Sequence, residues 1–375
     1  MLSVILLGLF SLSCKQDSIF YDISIEPEPR RALIPGSPTD MVVLKNQLFV
    51  GARMGNRIYR YSSTNGVPAW GYIVLPEGTL GDLATDGEYL YVLIFRGGDP
   101  LSSSVIKRLN LGDWSWDKDV SIDGYSIQTL YGVQGHIFAG GQQNSNRQNF
   151  VIMYHNPLGD YLAVSVTRVS LLTGAARLSD GTVYLSTLGN GIYTFIRGAT
   201  YGPINGTTGA SIAGIIETGG LIVGVSSDGG IYSGSSNGFS RVSTGVNYTG
   251  AMALWYDPEN QSVPSLLLMG IRGRGVSRTH GYRELPLIDG LPAAEIQIRI
   301  PGSDSLSSVS NEAKYTASIG VHPVETILQI PDVSRGGPID YRVFSGNPAW
   351  KPPIFAGTSK NGLWAYRDGE WNTEE

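Results

Sequence analysis

The chain has 375 residues, of which 16% are charged and 42% hydrophobic, and its formal net charge is −5. An apolar share of this size can fill a core, which excludes a disordered chain, and the negative charge argues against a nucleic-acid partner because nucleic acids select a basic surface. Glycine accounts for 49 residues, roughly twice the usual share of ~7%. This composition favours many short strands joined by tight turns.

The first 14 residues indicate export and attachment to a lipid. The apolar run from Leu2 to Leu12 is shorter than the roughly 20 residues that a membrane-spanning helix needs, and it has the length of a signal-peptide core. Ser11-Leu12-Ser13-Cys14 resembles a bacterial lipobox of the looser kind found in spirochaete lipoproteins, which implies that Cys14 carries diacylglycerol. No Lys or Arg precedes the run, so the true start codon stays open. Cys14 is the only cysteine, and no disulfide framework is expected.

Residues 15–38 are predicted to form a tether. Residues 18–25 alternate in a β-prone pattern, and the prolines that follow favour extended backbone. A single strand is not stable in water, so this segment either pairs with the last repeat and closes a ring or is a flexible spacer.

From residue 39 to 372 the sequence repeats one hairpin unit, in which a short apolar strand, a Gly-rich turn and a second apolar strand follow one another. The first strands start at Leu48, Leu90, Ile137, Val183, Leu221, Leu267 and Ile354. The clearest second strands start at Ile58, Ile192, Ile231 and Leu363, after Asn/Gly or Asp-Gly turns that supply the positive φ of tight hairpins. A period of about 40–50 residues is typical of a four-stranded propeller blade.

An additional inner strand precedes several repeats, at Asp40–Val43, Asp82–Ala84 and Ala175–Leu178. The sequence therefore predicts an all-β, seven-bladed propeller of four-stranded antiparallel blades around a central channel. The long spacing before the last repeat predicts insertions near residues 285–312 and 324–350. It also leaves room for an eighth blade that would use residues 295–300 and 315–321. Two separate β-sandwiches are the alternative fold.

The final repeat ends in Asp368-Gly369-Glu370-Trp371, and Ser226-Ser227-Asp228-Gly229-Gly230 is similar. Both resemble parts of the Asp-box turn of sensor-type and sialidase-type propellers. In those families the Asp-box is a structural turn, so the resemblance implies a fold and not an activity.

The residues show no catalytic motif, and no cofactor or metal is expected. The four histidines (His136, His155, His280 and His322) are isolated in the sequence, without the spacing of metal ligands. Arg53 and Arg57 flank one hairpin turn and Arg272 and Arg274 flank another; these four are the candidate ligand-binding residues. Trp114 and Trp116 are expected on one face of an outer strand, packed against the next blade, or in an exposed recognition patch.

The sequence favours a monomeric, non-enzymatic binding module for a protein, peptide or glycan. It is expected in the bacterial cell envelope, held by its lipid on the outer or inner membrane and facing the periplasm or the cell surface. The alternatives are a glycan-active hydrolase or lyase that uses the axial funnel, and a scaffold for outer-membrane assembly.

Overall fold

The computed structural model describes residue 34 and residues 38–373 apart from 46, 54, 65–66, 98–102, 118, 120–123, 145, 156–160, 165–170, 244–247, 256–265, 272–283, 289–290, 297–323, 330–353, 359–362 and 368–369. The regular structure in these residues is β-strand throughout, and no helix long and apolar enough to cross a membrane occurs among them. The strands form seven sheets, numbered here in chain order.

The first three sheets occupy the N-terminal half of the described chain. Sheet 1 contains β1 (Pro38–Leu44), β2 (Gln47–Ala52), β3 (Arg57–Thr64) and β4 (Val67–Val74). Sheet 2 contains β5 (Thr79–Thr85), β6 (Leu90–Arg96) and β7 (Ser103–Leu109). Sheet 3 contains β8 (Tyr125–Val133), β9 (His136–Gln143), β10 (Asn146–His155) and β11 (Tyr161–Val164).

The remaining four sheets follow in the same way. Sheet 4 contains β12 (Leu172–Arg177), β13 (Val183–Thr187), β14 (Gly191–Ile196) and β15 (Ala199–Tyr201). Sheet 5 contains β16 (Ile212–Thr218), β17 (Leu221–Ser226), β18 (Gly230–Ser235) and β19 (Gly238–Ser243). Sheet 6 contains β20 (Tyr248–Trp255), β21 (Leu266–Ile271), β22 (Glu284–Ile288) and β23 (Leu291–Ile296). Sheet 7 contains β24 (Val324–Gln329), β25 (Ile354–Thr358), β26 (Leu363–Arg367) and β27 (Glu370–Thr373).

The first strands of the sheets contact one another in a closed series. β1 contacts β5, β5 contacts β8, and the series continues through β12, β16, β20 and β24 back to β1. The first strand of each sheet therefore lies at the centre, and the other strands of the sheet lie further out. This arrangement is that of a β-propeller.

Apolar side chains fill the spaces between neighbouring sheets. Between sheets 1 and 2, for example, Phe49 and Ile58 pack against Leu80 and Val92. Phe355 of sheet 7 packs against Tyr61 of sheet 1, with the ring centroids 5.9 Å apart. A single small sheet cannot cover both of its faces, so each sheet depends on its two neighbours for stability.

A β-bulge interrupts every first strand close to its beginning. Bulges increase the local twist of a strand, which suits strands that converge on an axis. Small residues let the crowded first strands approach one another closely. A Cβ atom on Gly214 of β16 would lie 2.3 Å from the carbonyl oxygen of Gly250 in β20.

The structure confirms the strands that the hairpin pattern predicts. Each of the seven predicted first strands is the second strand of a sheet, and the predicted inner strands are parts of β1, β5 and β12. The turn at Asp228 also forms as expected: the Ser226 hydroxyl donates to the Asp228 carboxylate and accepts the amide of Gly230 at 2.8 Å, while Gly229 has φ of 89°.

Two sheets differ from the predicted four-stranded antiparallel form. Sheet 2 has three strands, and an isolated bridge from Leu109 to Trp116 stands in the place of a fourth. In sheet 6, β23 lies between β21 and β22 and runs parallel to β21. Parallel pairing needs a connection of about a dozen residues or more, and residues 272–290, which include β22, lie between the two strands in the chain.

The segments predicted as insertions contain strands. Residues 284–296 form β22 and β23 of sheet 6, and residues 324–329 form β24, the first strand of sheet 7. Glu295 and Ile296, which were assigned to the alternative eighth blade, belong to β23. The other residues of both segments, and residues 315–321, lie outside the described part of the chain, as does the 18–25 segment.

The connection between sheets 4 and 5 leads to a stability prediction. Thr207 is fully buried; its Oγ1 donates to the carbonyl oxygen of Ile204 at 2.8 Å and accepts the amide of Ile192 at 3.0 Å. Thr207→Val keeps the shape but leaves the amide unsatisfied, so we expect the free energy of unfolding to fall by about 1–3 kcal/mol. Urea denaturation measures this. Thr200→Val, on the outer strand β15, is the control, and equal midpoints for the two variants would contradict the prediction.

Candidate functional site

Two aspartates occupy the same position in neighbouring first strands, near the axis of the ring. Asp40 lies opposite Gly51 in sheet 1, and Asp82 holds the corresponding place in sheet 2. Each carboxylate accepts an amide from the first strand of the next sheet. Leu83 donates to Asp40 Oδ2 at 3.3 Å, and Leu130 donates to Asp82 Oδ2 at 2.9 Å. The two carboxyl groups therefore connect sheets 1, 2 and 3.

The environment of this pair raises the pKa of both carboxyl groups. Burial raises the pKa of Asp40 well above its usual range and the charge of Asp82 raises it further, while Arg53 opposes both effects. Burial also raises the pKa of Asp82, again against Arg53. Arg53 Nη2 lies 3.7 Å from Asp82 Oδ1. Loss of hydration raises the pKa of Tyr131, and the two carboxylates add to this effect.

We call Asp40, Asp82, Arg53 and Tyr131 the axial cluster. Its two carboxylates accept hydrogen bonds from neighbouring first strands and so connect these strands. Arg53 partly neutralises the pair, and one acceptor oxygen of each carboxylate is occupied by a backbone amide. Each carboxylate therefore has a hydrogen-bond partner in the neighbouring sheet, as polar groups removed from water require.

A second group of side chains lies on the outer strands of sheet 1 and is called the rim here; it contains Arg57, Arg60, Tyr72 and Val74, with Trp114 beside them. The guanidinium of Arg57 lies over the ring of Tyr72, 4.4 Å from its centroid, and Arg60 lies 4.6 Å from the centroid of Trp114. Tyr72 is 57% exposed and Val74 is 53% exposed, which are large values for an aromatic and an aliphatic side chain. Arg60 can extend across the strand because Gly71, its partner in β4, carries no side chain.

The turn that holds Trp114 is built by side chains. Asn110 Oδ1 accepts the amide of Gly112, and Asp113 Oδ1 accepts the amide and the hydroxyl of Ser115. Trp114 itself has φ of 59°, a region that costs a bulky residue energy. Trp116 packs against the core between sheets 1 and 2, whereas Trp114 is 38% exposed. The two tryptophans therefore do not share one face of a strand, because Trp114 lies in the turn.

The two predicted binding residues that the structure describes, Arg53 and Arg57, lie in different surroundings. Arg53 reaches Asp82 near the axis, whereas Arg57 lies against Tyr72 on the outer strands. Arg272, Arg274 and Cys14 lie outside the described residues. Sequence reasoning missed Arg60, Tyr72 and the aspartate pair. The available signal for the pair was its repetition, since each aspartate begins a predicted inner strand.

Within the described part of the chain, no three His, Cys, Asp or Glu side chains converge as metal ligands would. His136 stacks against Phe138 with the ring planes 10° apart.

No family model and no curated protein matches this chain. Among solved structures it is similar to YCF48 bound to D1 peptide, at 12% identity and a TM-score of 0.53 over 92% of this chain and 96% of that one. It is also similar to the extracellular domain of the hybrid two-component system BT4673 from B. thetaiotaomicron, at 14% identity and a TM-score of 0.52 over 89% of this chain. The match spans 38% of that second chain. At these identities the likeness shows the β-propeller fold alone.

Proposed function

We propose that this protein is a lipid-anchored binding module of the bacterial cell envelope. In this proposal the seven sheets are the seven blades of one monomeric propeller. Cys14 carries the lipid, and the propeller faces the periplasm or the cell surface from the inner or outer membrane. The closed series of contacts among the first strands supports the seven-blade count.

The observation that carries the binding role is the contrast between axis and rim. The axial carboxylates are occupied in joining strands, which makes them poor candidates for the acid and base of a hydrolase. The rim of sheet 1 instead presents exposed Tyr72 and Val74 beside two guanidinium groups. Exposed aromatic and arginine side chains are the types that dominate the energetics of protein interfaces. The similar structure of YCF48 holds a peptide, which agrees with a protein or peptide partner.

Photo-cross-linking in the source bacterium tests the binding role. Tyr72 and Tyr201 have the same exposed fraction, 57%, but lie on the outer strands of sheets 1 and 4. We expect benzoylphenylalanine at position 72 to cross-link a discrete envelope protein and the same probe at position 201 to give none. Equal products from both positions, or none from either, would contradict a recognition surface on sheet 1.

The anchor requires a separate experiment. We expect cells to incorporate radiolabelled palmitate into the wild-type protein, and Cys14→Ala to abolish the label and release the protein from the membrane fraction. A wild-type protein without label would show that the lipid anchor is absent, whatever the outcome of the cross-linking.

A further inference from the structure

The outer edge of sheet 1 has unusual properties for an edge strand. β4 is the last strand of its sheet and spans eight residues, Val67–Val74, none of them charged. Its pairing with β3 is regular from Arg57↔Val74 to Thr64↔Val67, without a bulge. Natural sheets usually protect their edges with charged residues, proline, bulges or short strands, because an open edge pairs readily with another strand. β4 is long and has no charge and no bulge, and its one proline, Pro68, lies near its beginning and leaves Tyr72 and Val74 unprotected.

The hydrogen-bond register shows which groups point away from the sheet. The Leu75 amide donates to the Asn56 carbonyl at 3.0 Å, which makes these two residues a hydrogen-bonded pair. Hydrogen-bonded and non-hydrogen-bonded residue pairs alternate along antiparallel strands. Arg57 and Val74 therefore form a non-hydrogen-bonded pair, and so do Tyr59 and Tyr72. The amide and carbonyl groups of Tyr72 and Val74 therefore point outward from the edge. Pro68 is at an outward position too, where its missing N–H disturbs no pairing within the sheet.

The two arginines lie on opposite faces of this edge. Arg57 shares a face with Tyr72 and Val74, and Arg60 shares the other with Ile73, which packs against the core between sheets 1 and 2. Within the described residues, neither guanidinium forms an ion pair with a carboxylate. Both are instead held on aromatic rings, which fixes their positions before any partner arrives.

We propose that β4 binds an extended acidic peptide of a partner protein by strand addition, which specifies the partner mode of the proposed binding function and rests on it. An added strand would pair with the outward groups of Tyr72 and Val74. Its side chains would alternate between the two faces, so acidic residues three positions apart would reach Arg57 and Arg60 separately. The recognised pattern is therefore Glu-x-x-Glu in an extended segment.

The test uses fluorescein-labelled synthetic peptides and the full chain in detergent. The first peptide is Thr-Glu-Val-Thr-Glu-Val-Thr, and an isomer of the same composition places its two Glu residues two positions apart, on one face. We expect fluorescence anisotropy to show tighter binding of the first peptide by about threefold to tenfold, the range of one exposed charge-assisted pair. Methylation of alternate backbone nitrogens of the peptide should weaken binding more than tenfold.

Variants of the protein separate the two parts of the proposal. Arg57→Gln and Arg60→Gln should each weaken the first peptide about threefold to tenfold, and their effects should add because they act on different faces. Arg241→Gln is the control, since Arg241 is also an exposed arginine near an aromatic ring but already pairs with Asp228. Tyr72→Pro removes one outward amide together with the ring under Arg57, without removing a bond to β3. It should abolish binding, a larger loss than that of Arg57→Gln alone, while leaving the unfolding midpoint nearly unchanged.

Three results would overturn the inference. The first is an affinity for the Glu-x-x-Glu peptide that changes neither on methylation of the peptide backbone nor on Tyr72→Pro. The second is binding of neither peptide by a folded protein. The third is binding only after Ile23→Pro, which would show that residues 18–25 of the chain itself cover the edge. If the cross-link at position 72 persists in any of these cases, the binding role stands and only strand addition fails.

Discussion

Replacing Gly214 with alanine is expected to lower the free energy of unfolding by about 3 kcal/mol, at the upper end of the usual cost of overpacking. The new Cβ would lie 2.3 Å from the carbonyl oxygen of Gly250, which is backbone and cannot rotate away. Gly250 cannot shift freely either, since its φ of 96° is a conformation that suits glycine. The substitution must therefore separate the first strands of sheets 5 and 6.

Gly112→Ala is the control for this prediction. Its Cβ would lie 3.2 Å from Asn110 Oδ1, the end of a side chain that can move, so we expect less than about 0.5 kcal/mol. Urea denaturation followed by tryptophan fluorescence measures both variants. Similar midpoints for Gly214→Ala and the wild type would mean that the first strands do not meet as closely as described.

Asp40→Asn is expected to make the protein more stable than the wild type at pH 8, because it removes a carboxylate that is costly to ionise in the folded state. Asp40 has a higher pKa in the folded protein than in the unfolded chain, because of burial and the charge of Asp82. Such an acid contributes stability at low pH, and this contribution is lost as the pH rises through the folded-state pKa. The amide of asparagine stays neutral and can still accept the Leu83 N–H.

The pH dependence distinguishes this cause from a general effect. Between pH 5 and pH 8 the wild type should lose stability, and Asp40→Asn should lose clearly less. Asp82 titrates in the same direction and Arg53 stays charged, so a smaller slope remains in the variant. Asp180→Asn is the control, because a hydrogen bond from Thr182 lowers the pKa of this exposed carboxylate. Parallel profiles for the wild type and Asp40→Asn would contradict a raised pKa of Asp40 in the folded protein.

The sequence predicts what is local in this fold and misses what depends on distant pairing. The antiparallel pairs β13–β14 and β25–β26 could be located because the strand pattern and the turn residues in the sequence agree within a few residues. The order of sheet 6 could not, since β23 pairs in parallel with β21, from which residues 272–290 separate it in the chain. Segments without a Gly turn were for that reason interpreted as insertions.

The site residues show the same division. Arg53 and Arg57 are four positions apart around one turn, yet one reaches Asp82 and the other Tyr72. Their separation depends on which strand each contacts, and that depends on the β3–β4 register and on the neighbouring sheet. The stacking of Arg60 on Trp114 joins two sheets, so no local motif could reveal it.

Residue-resolved amide hydrogen exchange of the free protein tests the division between axis and rim most directly. The amides of Leu83 and Leu130, which donate to Asp40 and Asp82, should exchange slowly, and those of Tyr72 and Val74 should exchange rapidly. Addition of the Glu-x-x-Glu peptide should slow Tyr72 and Val74 alone. Rapid exchange at Leu83 and Leu130 would contradict the hydrogen bonds from these amides to Asp40 and Asp82. Protection of Tyr72 and Val74 without peptide would contradict an open edge at β4.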